Sequence, residues 1–298
     1  MPPVLVSERL GPLEGCGVEV AGRPEGGRRG LTDRTRELVP ILEFELLSSF
    51  DSVCHGITTR TGGVSEPPYD ELNLGLHVGD HPVRVIENRR RACAELGLEF
   101  ERCTFAQQVH GEAVRVAAEK QAGAGRTRFE QGISAADGLL VKEPGVTVAI
   151  TVADCVPMVI YDAEHHAGAV VHAGWAGTTA AIAAKAVARL TEECGSRPAA
   201  LVVGIGPCIG PCCYHIGEEV AAGLSRGFAY AEPVAWEKEG GWRADLAKAN
   251  WQQLRAAGVP AENIELSGIC TSCEVERFYS HRRQGGATGR FGAFLSLR

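Results

Sequence analysis

The sequence predicts an α+β fold, and three observations carry that expectation. Short Val/Ile-rich runs cluster in the middle of the chain and are too brief to be helices. Segments with helical spacing stand between strand clusters instead of alternating with single strands. The composition is that of a globular protein: 45% of the 298 residues are hydrophobic and 22% are charged, which excludes wholesale disorder.

Taken in order, residues 1–40 stand apart. Gly22-Arg23-Pro24-Glu25-Gly26-Gly27-Arg28-Arg29-Gly30 has little to bury and reads as a flexible extension. Its arginines also allow a basic arm for nucleic acid, but Glu25, Asp33 and Glu37 dilute them, so a solvated loop is the simpler reading. Residues 41–298 form the domain proper. Val85, Ala92 and Leu96 share related faces of a helix over 82–97 that stops at Gly97. Strands are expected at 146–152, 156–161 and 168–172, with connections short enough to favour antiparallel neighbours. An Ala-rich helix is expected over 178–194, opened by Thr178 or Thr179 and closed near Gly195. A strand at 199–205, a helix at 244–257 ending at Gly258, a strand at 263–269 and a last strand from Gly292 to Leu297 complete the domain.

The net charge of −7 argues against a general nucleic-acid binder. No apolar run approaches the roughly 18 residues of a membrane span, and the first residues lack the basic start and apolar stretch of a secretory signal. The 11 cysteines are scattered through a chain too large to need disulfide staples. A reduced, cytoplasmic setting is therefore expected, with thiols free for metal or catalysis.

Three polar residues fall where strands should end. His110 closes Gln107-Gln108-Val109-His110, Cys155 lies between two apolar runs in Val152-Ala153-Asp154-Cys155-Val156-Pro157, and His172 ends a strand before Ala173-Gly174-Trp175. Two neutral imidazoles and a thiolate suit zinc and leave a fourth position open. Their separations are not those of a short metal motif, and a buried thiol with two hydrogen-bonded core histidines is the plainer alternative.

The chain resembles the bacterial purine nucleoside phosphorylase family of laccase-like or multicopper polyphenol oxidase annotation, also called the peptidoglycan editing factor family. The resemblance rests on Thr59-Arg60-Thr61-Gly62-Gly63-Val64-Ser65, Leu72-Asn73-Leu74-Gly75, Gln108-Val109-His110-Gly111 and Ala136-Asp137-Gly138. It continues through Ala153-Asp154-Cys155-Val156-Pro157, His172-Ala173-Gly174-Trp175, Gly206-Pro207-Cys208-Ile209, Tyr214, Ser280-His281-Arg282-Arg283 and Thr288-Gly289-Arg290. The resemblance covers residues from about 52 to the C-terminus and excludes the first 40.

The resemblance implies metal ligands at His110, Cys155 and His172, with zinc the expected ion and copper the less favoured one. It implies a layered fold of two facing mixed sheets with outer helices, α/β/β/α, related to toxin deamidases that use Cys and His. It implies phosphorolysis of adenosine, inosine, guanosine and S-methyl-5′-thioadenosine, together with deamination of adenosine. Purine nucleosides and phosphate are then the partners, with no nucleic acid, membrane or obligate protein partner.

Within that frame Cys155, Asp154 and Asp137 are the catalytic candidates. Either carboxylate suits a proton shuttle for attack at a purine C6. Either could equally hold backbone or a metal-binding histidine. Arg60, beside Gly62 and Gly63, is a candidate phosphate contact or a loop brace. Asn73, Gln108, Tyr214 and Arg282 are candidate substrate contacts. Tyr214 and Trp175 are stacking platforms or core residues. Ala176 stands where the family usually has arginine, and His281 where it commonly has tyrosine, which weakens the expectation of a cation beside the metal motif.

Cys208, Cys212, Cys213, Cys270 and Cys273 form a second cysteine set, readable as a closed thiolate zinc site or as inert buried thiols. Two other activities compete with nucleoside chemistry. A copper polyphenol oxidase needs a His-rich copper cluster, for which nine histidines without paired His-x-His are a poor match. An amidase removing misincorporated serine from a UDP-muramyl peptide would use the same metal.

Overall fold

A computed structural model describes residues 39–238 and 240–298 of the chain. The expected flexible extension at residues 1–40 lies outside the described residues over positions 1–38. The elements run β1 (Ile41–Leu42), α1 (Glu45–Ser48), β2 (Val53–Thr58), α2 (Pro82–Glu95), β3 (Cys103–Phe105), β4 (Val114–Val116), β5 (Gly138–Val141), β6 (Thr147–Val152), β7 (Val156–Asp162) and β8 (Ala167–Ala173). They continue α3 (Trp175–Thr179), α4 (Ile182–Cys194), β9 (Val202–Ile205), β10 (His215–Ile216), α5 (Glu218–Gly227), β11 (Ala235–Lys238), β12 (Gly241–Ala244), α6 (Leu246–Ala256), β13 (Ile264–Leu266) and β14 (Phe291–Leu297).

Two mixed sheets face each other. One has five strands in the order β1-β2-β14-β6-β3, the other six in the order β13-β9-β7-β8-β5-β4. Strand alternation sorts the side chains into layers. Val148, Ile150 and Val152 of β6 meet Val159 and Tyr161 of β7 and Val170 of β8 between the sheets. Val156, Met158 and Ile160 turn the other way, onto Ala183, Ala186, Val187 and Leu190 of α4 and Leu254 of α6. On the far side Ala149 and Phe294 pack with Ala92, Cys93 and Leu96 of α2. Apolar faces on both sides of both sheets require helices outside, and the result is the expected α/β/β/α layering.

The expected pairing of three successive strands is corrected at one point. β7 and β8 are antiparallel neighbours, from Val156↔Ala173 to Asp162↔Ala167. β6 instead pairs with β14 and β3 in the other sheet. The chain therefore crosses between sheets at Ala153-Asp154-Cys155, with Asp154 in the left-handed region at φ 83°. The expected helix at 178–194 is also corrected. Thr178 and Thr179 end the short α3, and α4 starts only after Ala181, whose φ of 59° breaks the helix. Gly195, at φ 75°, ends α4 as expected.

Backbone contact at β9 is close enough to demand glycine. A Cβ on Gly204 would lie 2.2 Å from Cδ2 of Phe44, whose own amide donates to Nε2 of buried His55. Gly204→Ala is expected to cost about 1–3 kcal/mol through overpacking. The check is the urea midpoint, which should fall at unchanged slope; an unaltered midpoint would show that Phe44 yields freely.

Candidate metal centre

The three expected ligands come from three separate pieces of chain. Period-two alternation places His172 at the end of β8 on the same face as Val170, toward the space between the sheets. Cys155 follows the crossover residue Asp154 and immediately precedes β7. His110 sits in the loop between β3 and β4 at φ 59°, another strained non-glycine position like Asp154 and Ala181. One ligand atom from each lies within 4.8 Å of the others. The two imidazoles meet edge to face, with centroids 4.8 Å apart.

Asp137 holds this arrangement together. Its Oδ1 accepts from His172 Nδ1 at 2.8 Å and from the His110 amide at 3.0 Å. Its Oδ2 accepts from the amides of Gly111 at 2.7 Å and Val109 at 3.3 Å. The His172 amide in turn donates to the Asp137 carbonyl. Because Nδ1 is occupied, Nε2 is the His172 nitrogen left to face an ion; a carboxylate behind a ligating imidazole is the usual outer support of a metal site. Gly174 leaves room for the trio: a Cβ there would stand 3.2 Å from both Cys155 Sγ and His110 Cδ2.

Electrostatics match the geometry. Burial opposes ionisation of Cys155, but the imidazoles of His172 and His110 outweigh it and bring the thiol down to about 6. Burial likewise opposes charge on His172, yet Cys155 and Asp137 lift it to about 9. Burial would raise Asp137, and His172 with the backbone amides holds it below the ordinary carboxylate value. A preformed thiolate between imidazoles suits a cation. The two imidazole nitrogens and one sulfur, the orienting carboxylate and the space left by Gly174 fit a metal ion.

Several expected catalytic and substrate contacts have other tasks. Asp137 uses both oxygens on the His110 loop and His172, which places it behind two of the candidate ligands. Asp154 accepts from the Thr271 hydroxyl at 2.7 Å and the Arg282 amide at 2.7 Å, which turns it to bracing the 270s and 280s loops. Arg60 is a loop brace: its guanidinium donates to the carbonyls of Asp70 and Val275 and pairs with the Asp70 carboxylate at 3.0 Å. Asn73 is fully buried, donating to Asp80 and accepting from the amides of Gly75 and Arg290. Gln108 bonds Thr151 through both ends of its amide, tying the His110 loop to β6.

Other residues do gather around the trio. Tyr214 is buried with the Arg282 guanidinium 5.2 Å from its ring centre. Burial lifts its hydroxyl to about 12, helped by Cys155 and eased by Arg282. Val109 and Trp175, neighbours of the ligand segments, are 56% and 43% exposed; Trp175 is thus a surface aromatic and not core.

Two residues escaped the sequence reading. Burial lowers the pKa of Arg290, against the pull of Cys155 and Asp154, and its Nη1 donates to the carbonyls of Thr288 and Gly289. His77 is held near 4 by desolvation, then by Arg290, Arg89, His110 and His172. The signal for Arg290 was its place in Thr288-Gly289-Arg290; His77 lies just beyond Leu72-Asn73-Leu74-Gly75.

Comparison with known proteins decides the family. The model described as multi-copper polyphenol oxidoreductase laccase matches residues 54–298. The chain belongs to this family. Its members include the purine nucleoside phosphorylase YlmD of Geobacillus stearothermophilus, 41% identical over 253 residues, covering 84% of this chain and 92% of that protein. They also include adenosine deaminase RL5 from an unknown prokaryotic organism, 30% identical, covering 85% and 97%. The crystal structure of Bacillus licheniformis hypothetical protein YfiH superposes with a TM-score of 0.83 at 37% identity, covering 88% of this chain and 98% of that one.

Asp137→Asn is expected to weaken metal binding about ten- to a hundredfold while the fold persists. Competition with a chelator of known affinity measures this, and wild-type affinity in the variant would remove Asp137 from the centre.

Proposed function

We propose that the chain is a zinc-dependent purine nucleoside phosphorylase that acts on adenosine, inosine, guanosine and S-methyl-5′-thioadenosine and also deaminates adenosine. The observation that carries this reading is the two-imidazole, one-thiolate trio, supplied by one exposed, one half-buried and one buried residue. Three protein ligands leave a coordination position for a reactant, as catalytic zinc sites do. The names of the relatives give the substrate class, purine nucleosides and phosphate.

The metal, held by His110, Cys155 and His172, would supply Lewis-acid polarisation of an oxygen at neutral pH. The chain supplies the rest. Asp137 keeps His172 in one tautomer and aims its Nε2. Trp175 and Val109 offer an exposed apolar rim on which a purine face can lie, the use most aromatic platforms serve in base recognition. Arg290 and Arg282 are candidate anion contacts: each donates to backbone carbonyls through Nη1, Arg290 to Thr288 and Gly289 and Arg282 to His215, whereas Arg60 spends Nε, Nη1 and Nη2 on Asp70 and Val275. His77, kept neutral by desolvation and its positive neighbours, is a weak base and can offer the substrate a hydrogen bond from an uncharged imidazole.

The laccase description attached to the family does not extend to copper oxidase chemistry in this reading. A blue-copper centre adds a weak axial methionine to its two histidines and one cysteine. Of the chain's two methionines, Met158 is on the helix-facing side of β7 and Met1 lies outside the described residues. Among the described residues no other histidine-rich group stands beside the trio.

Incubation of the purified protein with adenosine, with and without phosphate, tests the proposal. Ribose 1-phosphate and adenine should form only with phosphate, inosine should form in both cases, and Cys155→Ala should abolish all three. Turnover by a metal-free Cys155→Ala protein, or no nucleoside product from metal-replete wild type, contradicts the proposal.

A further inference from the structure

The cysteines outside the trio are not evenly spread. Cys212-Cys213 lies in the turn before β10, and Cys270-Thr271-Ser272-Cys273 in a turn beyond β13. A parallel bridge between Cys208 and Cys270 brings the two turns together: the Cys208 amide donates to Ile269 O at 3.2 Å, and the Thr271 amide to Cys208 O at 3.0 Å. Cys208 itself points into the helix-side core and stands apart from the other four sulfurs. The sulfurs of Cys212, Cys213, Cys270 and Cys273 all lie within 4.8 Å of one another.

The spacing distinguishes the chemistry. Cys273 Sγ stands 3.6 Å from Cys212 Sγ and 3.6 Å from Cys213 Sγ. A disulfide would join one pair at about 2.05 Å and leave the others apart. Four thiolates around zinc at about 2.3 Å form a tetrahedron whose edges are about 3.8 Å. One sulfur equally close to two others is the pattern of the tetrahedron. In addition, the Gly210 amide donates to Cys270 Sγ at 3.2 Å, an outer-sphere bond that stabilises a thiolate. Gly210 itself is fitted to the cluster: a Cβ would stand 3.2 Å from Cys270 Cβ and 3.3 Å from Cys212 Sγ.

We infer that Cys212, Cys213, Cys270 and Cys273 form a second metal site, a closed tetrathiolate that binds one zinc ion. With four protein ligands it has no open position and serves structure. Loading releases the thiol protons to solvent and transfers the binding energy to the fold. The load falls on the wall of the catalytic trio. Tyr214 directly follows Cys213, and Thr271, between the two cysteines of its turn, donates to Asp154 beside Cys155. The ion fastens these two turns to each other. Cys212 and Cys273 are exposed, so the site loads and unloads from solvent.

Metal counting on the full-length protein purified with zinc tests the inference without reference to nucleoside turnover. Wild type should carry two zinc ions per chain. Cys155→Ala should keep one, and cobalt exchanged into that variant should show thiolate-to-cobalt charge transfer, which the remaining histidines cannot supply. The doubly substituted Cys212→Ser, Cys273→Ser protein should also keep one, held by the trio. Should that protein fail to fold, the thiols of Cys155→Ala provide the second reading: the exposed Cys212 and Cys273 should resist a thiol reagent until a mercurial releases one zinc ion. A Cys155→Ala protein with no zinc and freely reactive thiols overturns the site, as does a Cys212–Cys273 or Cys213–Cys273 disulfide found in it by mass spectrometry.

Discussion

The Asp137 carboxylate is the constraint on which the centre depends. It is buried, and a buried carboxylate persists only where hydrogen bonds replace its hydration. Here three backbone amides and one imidazole do so. The same four bonds fix the strained turn at His110 and the tautomer of His172. Two of the three candidate ligands are thus positioned by one group. The third, Cys155, is positioned by topology, because the chain must pass from the five-stranded to the six-stranded sheet immediately before it. The left-handed conformation at Asp154 makes that passage, and the Asp154 side chain holds its geometry by bonding Thr271 and the Arg282 backbone.

Much of this architecture was legible in the residues. Short Val/Ile-rich runs at 146–152, 156–161 and 168–172 become β6, β7 and β8, and the helical pattern at 82–97 becomes α2. His110, Cys155 and His172 stood out because polar residues with metal-binding chemistry fell at the ends of apolar runs. The sheet crossover did not stand out. Two adjacent apolar strands carry the same pattern whether they pair or part, and only the hydrogen-bond partners tell. The break at Ala181 was equally silent, since alanine is the best helix former and nothing local signals a left-handed turn.

The polar residues were harder to read than the ligands. Arg60, Asn73 and Gln108 have the chemistry of substrate contacts, yet the fold spends each on its own backbone. An arginine beside glycines looks the same in sequence whether its fork meets a phosphate or a carbonyl. Asp154 and Asp137 likewise spend their oxygens on neighbouring loops and on His172. Arg290 and His77 approach the trio only through tertiary structure. The two close cysteine pairs were readable as one thiolate set; that they meet because β9 and β13 run parallel, and that Cys208 stands apart from them, appears only in the fold.

Anomalous diffraction from crystals of the protein, recorded on both sides of the zinc absorption edge, tests the central claim most directly. A peak within coordination distance of Cys155 Sγ, His172 Nε2 and a ring nitrogen of His110, with no fourth protein atom bound, is the predicted result. A zinc-replete crystal with no peak between those three residues, or with a protein side chain closing the fourth direction, would contradict it.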